Sequence, residues 1–257
     1  MTLEELKKLP RDTKILNLSE RGGFCFIDKE YSECLQEFKQ VSELSIKCSG
    51  NKYDFLKSMK KLKVFSLTDN DWYFQNLDFS ENILLEDVSI SIKHADKLSF
   101  PNLTKLDTVS ITQNSANPTT IDIKGCKKLQ TLSITANISS IDSELLHKLS
   151  YVDIKESSIE KFYCESKELS EVLLSDNKNL KTVSLPNADY LARFKAKNTE
   201  LSSLEMKYDV KNLDFDIRNT PFSKKGVNTL EQVKASMNLK SDSDIRGWAS
   251  IIDTGLF

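Results

Sequence analysis

Apolar and polar residues follow a nine-residue pattern that recurs along the chain. The pattern is apolar-x-x-apolar-x-apolar-x-x-Asn, and the segments LDTVSITQN (106–114) and LQTLSITAN (129–137) fit it throughout. In each copy, apolar residues at the fourth and sixth positions flank a polar one, which predicts a short β-strand with one buried face. Copies begin at residues 41, 62, 85, 106, 129, 149, 169, 191 and 210, and TKILNLSER (13–21) is a candidate tenth copy.

The copies are 19 to 23 residues apart, and this narrow spacing predicts a repeat architecture. A coil of that length cannot bury its apolar side alone, so successive coils must stack and share one core. A second apolar cluster in each interval, such as TIDI (120–123) or VSLPNA (183–188), predicts a short extended segment on the opposite side of the coil. Two intervals, 54–62 and 143–149, have helical spacing instead.

Four copies end in asparagine, at the point where the chain turns out of the strand. Backbone groups at such a turn lack strand partners, and a side-chain amide supplies both donors and an acceptor. We therefore expect a structural ladder of buried asparagines, which consists of Asn70, Asn114, Asn137 and Asn177. Lys93 and Arg218 occupy the same position and do not fit a buried site, so we expect a local change of register there.

The nine copies between Val41 and Arg218 resemble the leucine-rich repeat family, L-x-x-L-x-L-x-x-N. The resemblance implies an α/β fold: a curved leucine-rich repeat solenoid with a parallel β-sheet on the concave face, irregular convex segments and helical caps. It also implies protein binding without catalysis. The short chain and its lysine- and asparagine-rich repeats are similar to effectors that intracellular bacteria inject into host cells. That similarity implies a cytoplasmic protein that reaches a host cytosol without a classical signal peptide.

Both ends depart from the repeat and predict separate segments. Residues 1–40 are expected to form an N-terminal cap, because Thr2 and Glu5 make a capping-box pattern before Pro10 and because 30–40 has helical spacing. The repeats then span 41–219, and 220–257 is expected to form a C-terminal helical cap. A secretion signal or a second partner-binding site is the alternative interpretation of this C-terminal tail.

Composition narrows the class of protein. The chain has 257 residues, is 39% hydrophobic and 29% charged, and carries a net charge of -2, which suits a soluble protein. No apolar run reaches the roughly 18 residues of a membrane span, and the N-terminus lacks the apolar core of a secretory signal. Five cysteines without a C-x-x-C pair argue against a disulfide framework and a structural zinc site.

The search for chemistry gives a negative expectation. The sequence contains no phosphate-binding loop, dinucleotide fingerprint, nucleophile elbow or zinc-protease motif. We expect no enzyme activity, no cofactor and no metal. Cys126 or Cys164 could act as a nucleophile with His94 or His147 as the base, but small buried core cysteines are the preferred interpretation.

The outward strand positions carry the candidate partner-binding site. Its central row begins with serines 45, 66, 89, 110 and 133 and continues with a more varied, charged half that ends at Asp214. Tyr73 is added because it lies in the most aromatic stretch, NDWYFQ (70–75). The predicted binding residues are Ser110, Thr112, Ser133, Thr135, Tyr151, Asp153, Lys155, Glu171, Leu173, Arg193, Lys195 and Tyr73. An unoccupied, solvated sheet is the alternative.

Arg193, Lys195 and Lys197 alternate along one strand and are expected to point outward together. They could contact phosphate or nucleic acid, or they could pair with carboxylates of the next coil, Lys195 with Asp214 and Lys197 with Asp216. The slightly acidic chain favours pairing, so we expect no nucleic acid partner.

These features together predict a monomeric, non-catalytic module that captures one partner protein on its concave face. The module would act as an inhibitor, an effector or an effector regulator. The alternative is an adaptor that recruits a second protein, such as a ubiquitin ligase component, through its terminal caps.

Overall fold

The chain forms a parallel β-sheet solenoid of about nine turns. This is a computed structural model, and it describes residues 1–19, 26–47, 49–50, 53–143, 145–207, 210 and 212–236. The strands are, in chain order, β1 (Ile15–Ser19), β2 (Phe26–Ile27), β3 (Glu43–Lys47), β4 (Ser49–Gly50), β5 (Val64–Asp78), β6 (Asp87–Ser99), β7 (Thr108–Gln113), β8 (Thr120–Asp122), β9 (Thr131–Thr135), β10 (Tyr151–Lys155), β11 (Lys161–Tyr163), β12 (Glu171–Leu173), β13 (Thr182–Leu185), β14 (Arg193–Lys195), β15 (Ser203–Met206) and β16 (Asp214–Asp216).

One strand of every coil belongs to a long main sheet. Its order is β1-β3-β5-β6-β7-β9-β10-β12-β14-β16, and each neighbouring pair is parallel. On the other side of the solenoid, β11, β13 and β15 form a second sheet, while β8 pairs with the end of β6. The predicted stacking of coils that share one core is therefore confirmed.

The first eight predicted copies have the correct register, because each main-sheet strand begins two residues after the predicted start. The tenth copy is also confirmed, since Ile15 pairs with Glu43. The ninth copy is displaced by two residues: Asp214 aligns with Arg193, so this coil begins at residue 212 and not at 210. The displaced register stacks Phe215 on Phe194, with ring centroids 5.6 Å apart. The two phenylalanines thus occupy equivalent positions of adjacent coils.

The core lies between the main sheet and the opposite side of each coil. Main-sheet side chains such as Val109 and Ile111 are buried, as are their neighbours Leu132 and Ile134 on the next strand. The leucine at the first position of the pattern is buried in seven consecutive coils, at residues 62, 85, 106, 129, 149, 169 and 191. Burial of a leucine side chain stabilises the fold by about 1.5–3 kcal/mol, so this column is a major part of the core.

The segments opposite the main sheet are mainly extended, as predicted. The strands β5 and β6 are long enough to continue from the main sheet to the opposite side, where Leu77 pairs with Leu98. The segment with helical spacing at 54–62 contains a 3-10 helix, Asp54–Ser58. In the second such segment, residues 145–149 form a turn rather than the expected helix, which Leu149 closes by donating its N–H to the Leu146 carbonyl.

Four short α-helices lie near the ends of the described chain: α1 (Leu3–Lys7), α2 (Lys29–Leu35), α3 (Pro221–Lys224) and α4 (Leu230–Ser236). The predicted capping box is present, since Thr2 accepts from the Glu5 N–H and Glu5 accepts from the Thr2 N–H. Leu6 of α1 and Leu35 of α2 join the core. Residues 237–257 of the predicted C-terminal helical cap lie outside the described residues. None of the helices that the structure describes is long and apolar enough to cross a membrane.

The chain leaves the main sheet by one geometry in the last four coils. There the eighth pattern residue has a positive φ, at Glu156 (55°), Asp176 (66°), Asn198 (56°) and Asn219 (57°). This left-handed residue interrupts the strand alternation, so the ninth residue points into the core. The buried ninth residues are Ser157, Asn177, Thr199 and Thr220.

Asn177 shows how this buried position satisfies the backbone. Its Nδ2 donates to the carbonyls of Ile154 (2.7 Å) and Leu174 (2.9 Å). Its Oδ1 accepts from the backbone N–H (3.0 Å) and the hydroxyl (2.6 Å) of Ser157 in the preceding coil. The predicted role of asparagine is therefore confirmed at this position.

The asparagine ladder is wrong at Asn114, which is exposed. The strand alternation there continues through the eighth residue, so Gln113 is buried instead, and its Oε1 accepts from the Ala95 N–H (3.2 Å) and the Thr119 hydroxyl (2.8 Å). Asn137 is only half-buried, although its amide links the Ala116 carbonyl to the Ser158 hydroxyl.

The first member of the predicted ladder, Asn70, has a side chain that lies outside the described part of the structure. Its predecessor Asp69 is buried and accepts from the backbone N–H groups of Gly50 and Asp71, both at 3.1 Å. The eighth residue thus faces the interior in this coil as well.

The two exit geometries predict different costs for removing an asparagine side chain. Asn177→Ala should lower the free energy of unfolding by about 2–4 kcal/mol, because it leaves several buried backbone groups unpaired. Asn114→Ala, the matched control, should cost clearly less, because its side chain is exposed. Urea denaturation followed by circular dichroism measures both values. Equal losses in the two variants would contradict the assignment.

Candidate functional site

The outer face is defined here as the main-sheet side chains that point away from the core. In its central row, Ser45, Ser66, Ser89, Ser110 and Ser133 lie directly beside one another on five adjacent strands, as predicted. The row continues through Asp153, Leu173 and Lys195 and ends at Asp216. The predicted end at Asp214 is wrong, because the last coil is displaced by two residues.

The strands β6, β7 and β9 give the outer face an almost uncharged region. We call it the hydroxyl region, and it consists of Ser89, Ser91, Thr108, Ser110, Thr112, Thr131, Ser133 and Thr135. Ser110, Thr112, Ser133 and Thr135 are half-buried. Among the described residues, no protein group forms a hydrogen bond with the hydroxyls of these four side chains. Their hydroxyls therefore remain available to water or to a bound molecule.

The strand β10 borders the hydroxyl region with three different side chains. Asp153 is buried, and its Oδ2 lies 2.7 Å from the exposed Lys155 Nζ, while its Oδ1 has no hydrogen-bond donor in the described part of the chain. The hydrogen bond with Asp153 raises the pKa of Lys155. Burial, followed by the negative charge of Asp153, raises the pKa of the half-buried Tyr151. This strand therefore ends the uncharged region with a paired lysine and carboxylate.

Further along the sheet, ion pairs connect three strands. Arg193 Nη1 lies 2.8 Å from Glu171 Oε2, and Arg193 Nε lies 3.2 Å from Asp214 Oδ2. Lys195 Nζ lies 3.0 Å from the same Asp214 oxygen. Hydrogen bonding from Lys195, followed by the charge of that lysine and the contacts of Arg193, lowers the pKa of Asp214.

The predicted cross-strand pairing is thus confirmed for Lys195 with Asp214. The pairing of Lys197 with Asp216 is wrong, because Asp216 binds Arg218, whose Nη2 lies 2.8 Å from Asp216 Oδ2. Hydrogen bonding from Arg218 lowers the pKa of Asp216. Arg193 and Lys195 are therefore engaged within the protein, which leaves them poorly placed to bind phosphate.

Two of the predicted binding residues, Leu173 and Tyr73, have apolar or aromatic side chains, and the structure describes the side chain of only the first. Leu173 is half-buried and lies on the outer face between Asp153 and Lys195. The side chain of Tyr73 lies outside the described part of the structure, although its backbone pairs with His94 in the main sheet. All other predicted binding residues lie on one continuous face.

The candidate nucleophiles are buried thiols. Burial raises the pKa of Cys126 and of Cys164 to about 11, so both are protonated at neutral pH. A protonated, fully buried thiol is a poor nucleophile. His94 is also buried, with its Nε2 3.1 Å from Asp96 Oδ1, whereas His147 is exposed. Within the described ranges, no group of three histidine, cysteine or acidic side chains is placed to hold a metal ion.

The second sheet contains a buried polar pair that the repeat pattern does not predict. Ser184 on β13 and Glu205 on β15 are paired in register and both buried, and the Ser184 hydroxyl donates to Glu205 Oε2 at 2.5 Å. Glu205 Oε1 has no donor among the described residues. Burial raises the pKa of Glu205, against the lowering effect of the Ser184 hydrogen bond. In the sequence, Glu205 occupies an alternate position that predicts solvent exposure.

The Asp214 ion pairs predict a salt-sensitive contribution to stability. Asp214→Asn should lower the Tm by a few degrees at low ionic strength, because Arg193 and Lys195 lose their shared partner. High salt should shrink the difference, since the groups are exposed to solvent. The exposed Asp142→Asn changes the net charge equally and serves as the control in differential scanning fluorimetry. A similar shift in both variants would remove support for the ion-pair interpretation.

Because of Glu205, the free energy of unfolding should depend on pH with the opposite sign to that expected from an ion-paired carboxylate. Its pKa is raised in the folded state, so the wild type loses stability as the pH rises through that pKa. The stability of Glu205→Gln relative to wild type should therefore increase between pH 4 and pH 8. Chemical denaturation across this range measures the slope, and the exposed Glu200→Gln should show none. A flat or falling difference for Glu205→Gln would refute the prediction.

Known proteins give no functional assignment for this chain. No protein-family model matches the chain, and no curated protein matches it. The observations that bear on function are therefore the in-register hydroxyl region, the ion pairs beside it and the exposed turns between strands.

Proposed function

We propose that this chain is a non-catalytic binding module of the leucine-rich repeat type, which captures a partner protein on its outer face. The L-x-x-L-x-L spacing with buried leucines supports the leucine-rich repeat assignment. The helices α1, α2, α3 and α4 near the ends of the described chain support a role as caps, because terminal coils of a solenoid need their apolar cores covered.

The observation that carries the binding proposal is the hydroxyl region. Four of its short side chains, those of Ser110, Thr112, Ser133 and Thr135, form no hydrogen bond with a described residue that a partner would have to break, and serine or threonine loses little entropy when it is ordered. Main-sheet strands lie about 4.8 Å apart, so the ten strands of the main sheet span roughly 43 Å. A standard interface needs about 800 Å² from each partner, which a sheet of this length can provide.

The ion pairs beyond β10 supply the second part of the proposed interface. Arg193, Glu171 and Asp214 are already paired, so a partner gains orientation from their fixed charges more than it gains affinity. Tyr151 and Leu173 add half-buried apolar surface at the boundary between the two regions. The proposed partner therefore lies over the hydroxyl region, and one end of the partner contacts the charged side chains beyond β10.

The test of this proposal places a long side chain in the hydroxyl region. Ser110→Arg and, separately, Ser133→Arg should reduce recovery of the captured protein at least tenfold, because an arginine fills the space above the sheet. The exposed Ser139→Arg, which lies beyond β9, is the matched control and should recover as much as wild type. Affinity purification with quantitative mass spectrometry from the native source measures recovery.

The adaptor alternative predicts a different outcome in the same experiment. Glu231 lies on the exposed side of α4. If the partner is still recovered with both hydroxyl-region variants and is lost only with Glu231→Arg, the outer-face proposal is wrong. Inhibition of the captured protein, and a role as an intracellular bacterial effector, stay expectations of the leucine-rich repeat resemblance. Adding the purified chain to the purified partner would test inhibition directly.

A further inference from the structure

A second exposed surface runs along the tight turns that precede the main-sheet strands. In each turn the first and fourth residues are buried and the two central residues are largely exposed. Leu106, Leu129 and Leu149 close three of these turns by donating to the carbonyls of Leu103 (3.1 Å), Cys126 (3.0 Å) and Leu146 (3.2 Å). We call the central residues the turn row, and they are 60–61, 83–84, 104–105, 127–128, 147–148, 167–168 and 189–190.

Lysines concentrate in four consecutive turns of this row. Each pair of central residues lies the same number of residues before its strand, and those strands are paired in register, so the pairs lie side by side. The four turns contain Lys105, Lys127, Lys128, Lys148 and Lys167, with Glu168 as the one acidic side chain.

Most of these lysines have no acidic partner. Lys148 pairs with Glu168 in the next coil, but Lys105, Lys127, Lys128 and Lys167 make no ion pair with any described residue. In comparable positions of other turns, Lys60 pairs with Glu81 and Asp189 pairs with Lys207. Lys61 in the first turn also makes no ion pair with a described residue, but four unpaired lysines within four consecutive turns occur only in this part of the row.

We propose that this part of the turn row binds an extended acidic segment of a partner protein. The four turns span about 15 Å at 4.8 Å per coil, which matches about five residues of an extended peptide. Lysine ammonium groups attract carboxylates. This attraction speeds the association of a negatively charged segment with a basic surface.

The ends of the cluster define which peptide fits. On one side, the neighbouring turn presents Ile83, a residue that is 62% exposed, so an apolar residue of the peptide can pack there. On the other side, Asp189 and Tyr190 take the place of the lysines, so the next turn adds no basic side chain to the cluster. The bound segment is therefore short, acidic and apolar at its Ile83 end.

The same features argue for a protein segment over nucleic acid or membrane. The lysine-bearing turns contain a single aromatic ring, the imidazole of His147, and no Phe, Tyr or Trp side chain for stacking on successive bases. A single exposed isoleucine supplies too little apolar surface for insertion into a lipid interface. This surface is separate from the hydroxyl region, so the inference does not rest on the proposed capture of a partner there.

The test uses a fluorescein-labelled peptide of six glutamates followed by one leucine. Fluorescence anisotropy at 50 mM salt should show binding that weakens as salt is raised. The variant K105E/K127E/K128E/K167E should weaken binding at least tenfold. The control K39E/K57E/K97E/K178E reverses four other exposed, unpaired lysines and should change the Kd less than about threefold, because long-range attraction is screened.

Further variants and ligands ensure that each outcome either supports or contradicts the proposal. Ile83→Ser should weaken the leucine-ended peptide several-fold and leave a peptide of six glutamates unchanged. If circular dichroism shows that the quadruple glutamate variant is unfolded, the K105Q/K127Q/K128Q/K167Q variant replaces it with the same expected direction. Absence of peptide binding, equal losses in the row and control variants, or tighter binding of oligo(dT) or phosphatidylserine vesicles would overturn the proposal.

Discussion

In each coil of this solenoid, the chain must turn out of the main sheet without leaving buried backbone N–H and C=O groups unpaired. A buried unpaired amide or carbonyl costs about 1–3 kcal/mol, so every coil must solve this problem. The last four coils use a left-handed residue followed by a buried polar side chain, whereas coils at β5 and β7 extend the strand and bury the preceding residue. Asn177 and Gln113 thus satisfy the same need from different positions of the repeat.

The register of the outer face depends on this exit being repeated coil by coil. When successive strands start and end at equivalent positions, residues of one pattern position form a continuous row. The serine row from Ser45 to Ser133 and the basic part of the turn row both arise in this way. A displacement of two residues, as in the last coil, is enough to place Asp216 and not Asp214 beside Lys195.

The repeat period predicted most of the fold, because a buried leucine column and strand alternation are both visible in the sequence. The exits were harder to predict, since Asn114 and Asn177 occupy the same pattern position but face opposite ways. The residue type at the eighth pattern position carries part of the signal, although Asp69 stays in its strand and shows that this type alone does not decide the exit. Asp176 and Asn198 belong to the types that tolerate a left-handed backbone, whereas Ile92 at the same position favours a continued strand.

The candidate site was predicted for the same reason, and its errors also arise from register. Residues such as Ser110, Thr112 and Leu173 follow directly from strand alternation. The buried Glu205 could not be predicted, because alternation places it outside and only the packing of adjacent coils buries it. The repeat alignment places Lys105 and Lys128 at the same position, one residue before a pattern leucine, but only the structure shows the tight turn that exposes them.

Whether a polar group already has a partner separates structural surfaces from surfaces available for binding. Arg193, Lys195 and Asp214 satisfy one another, so a ligand that binds them must first compete with an existing ion pair. The hydroxyls of Ser110 and Ser133 face no such competition within the described chain. The unpaired lysines of the turn row face none either. The solenoid thus uses paired charges to hold coils together, and its unpaired groups lie in two separate rows that a partner can reach.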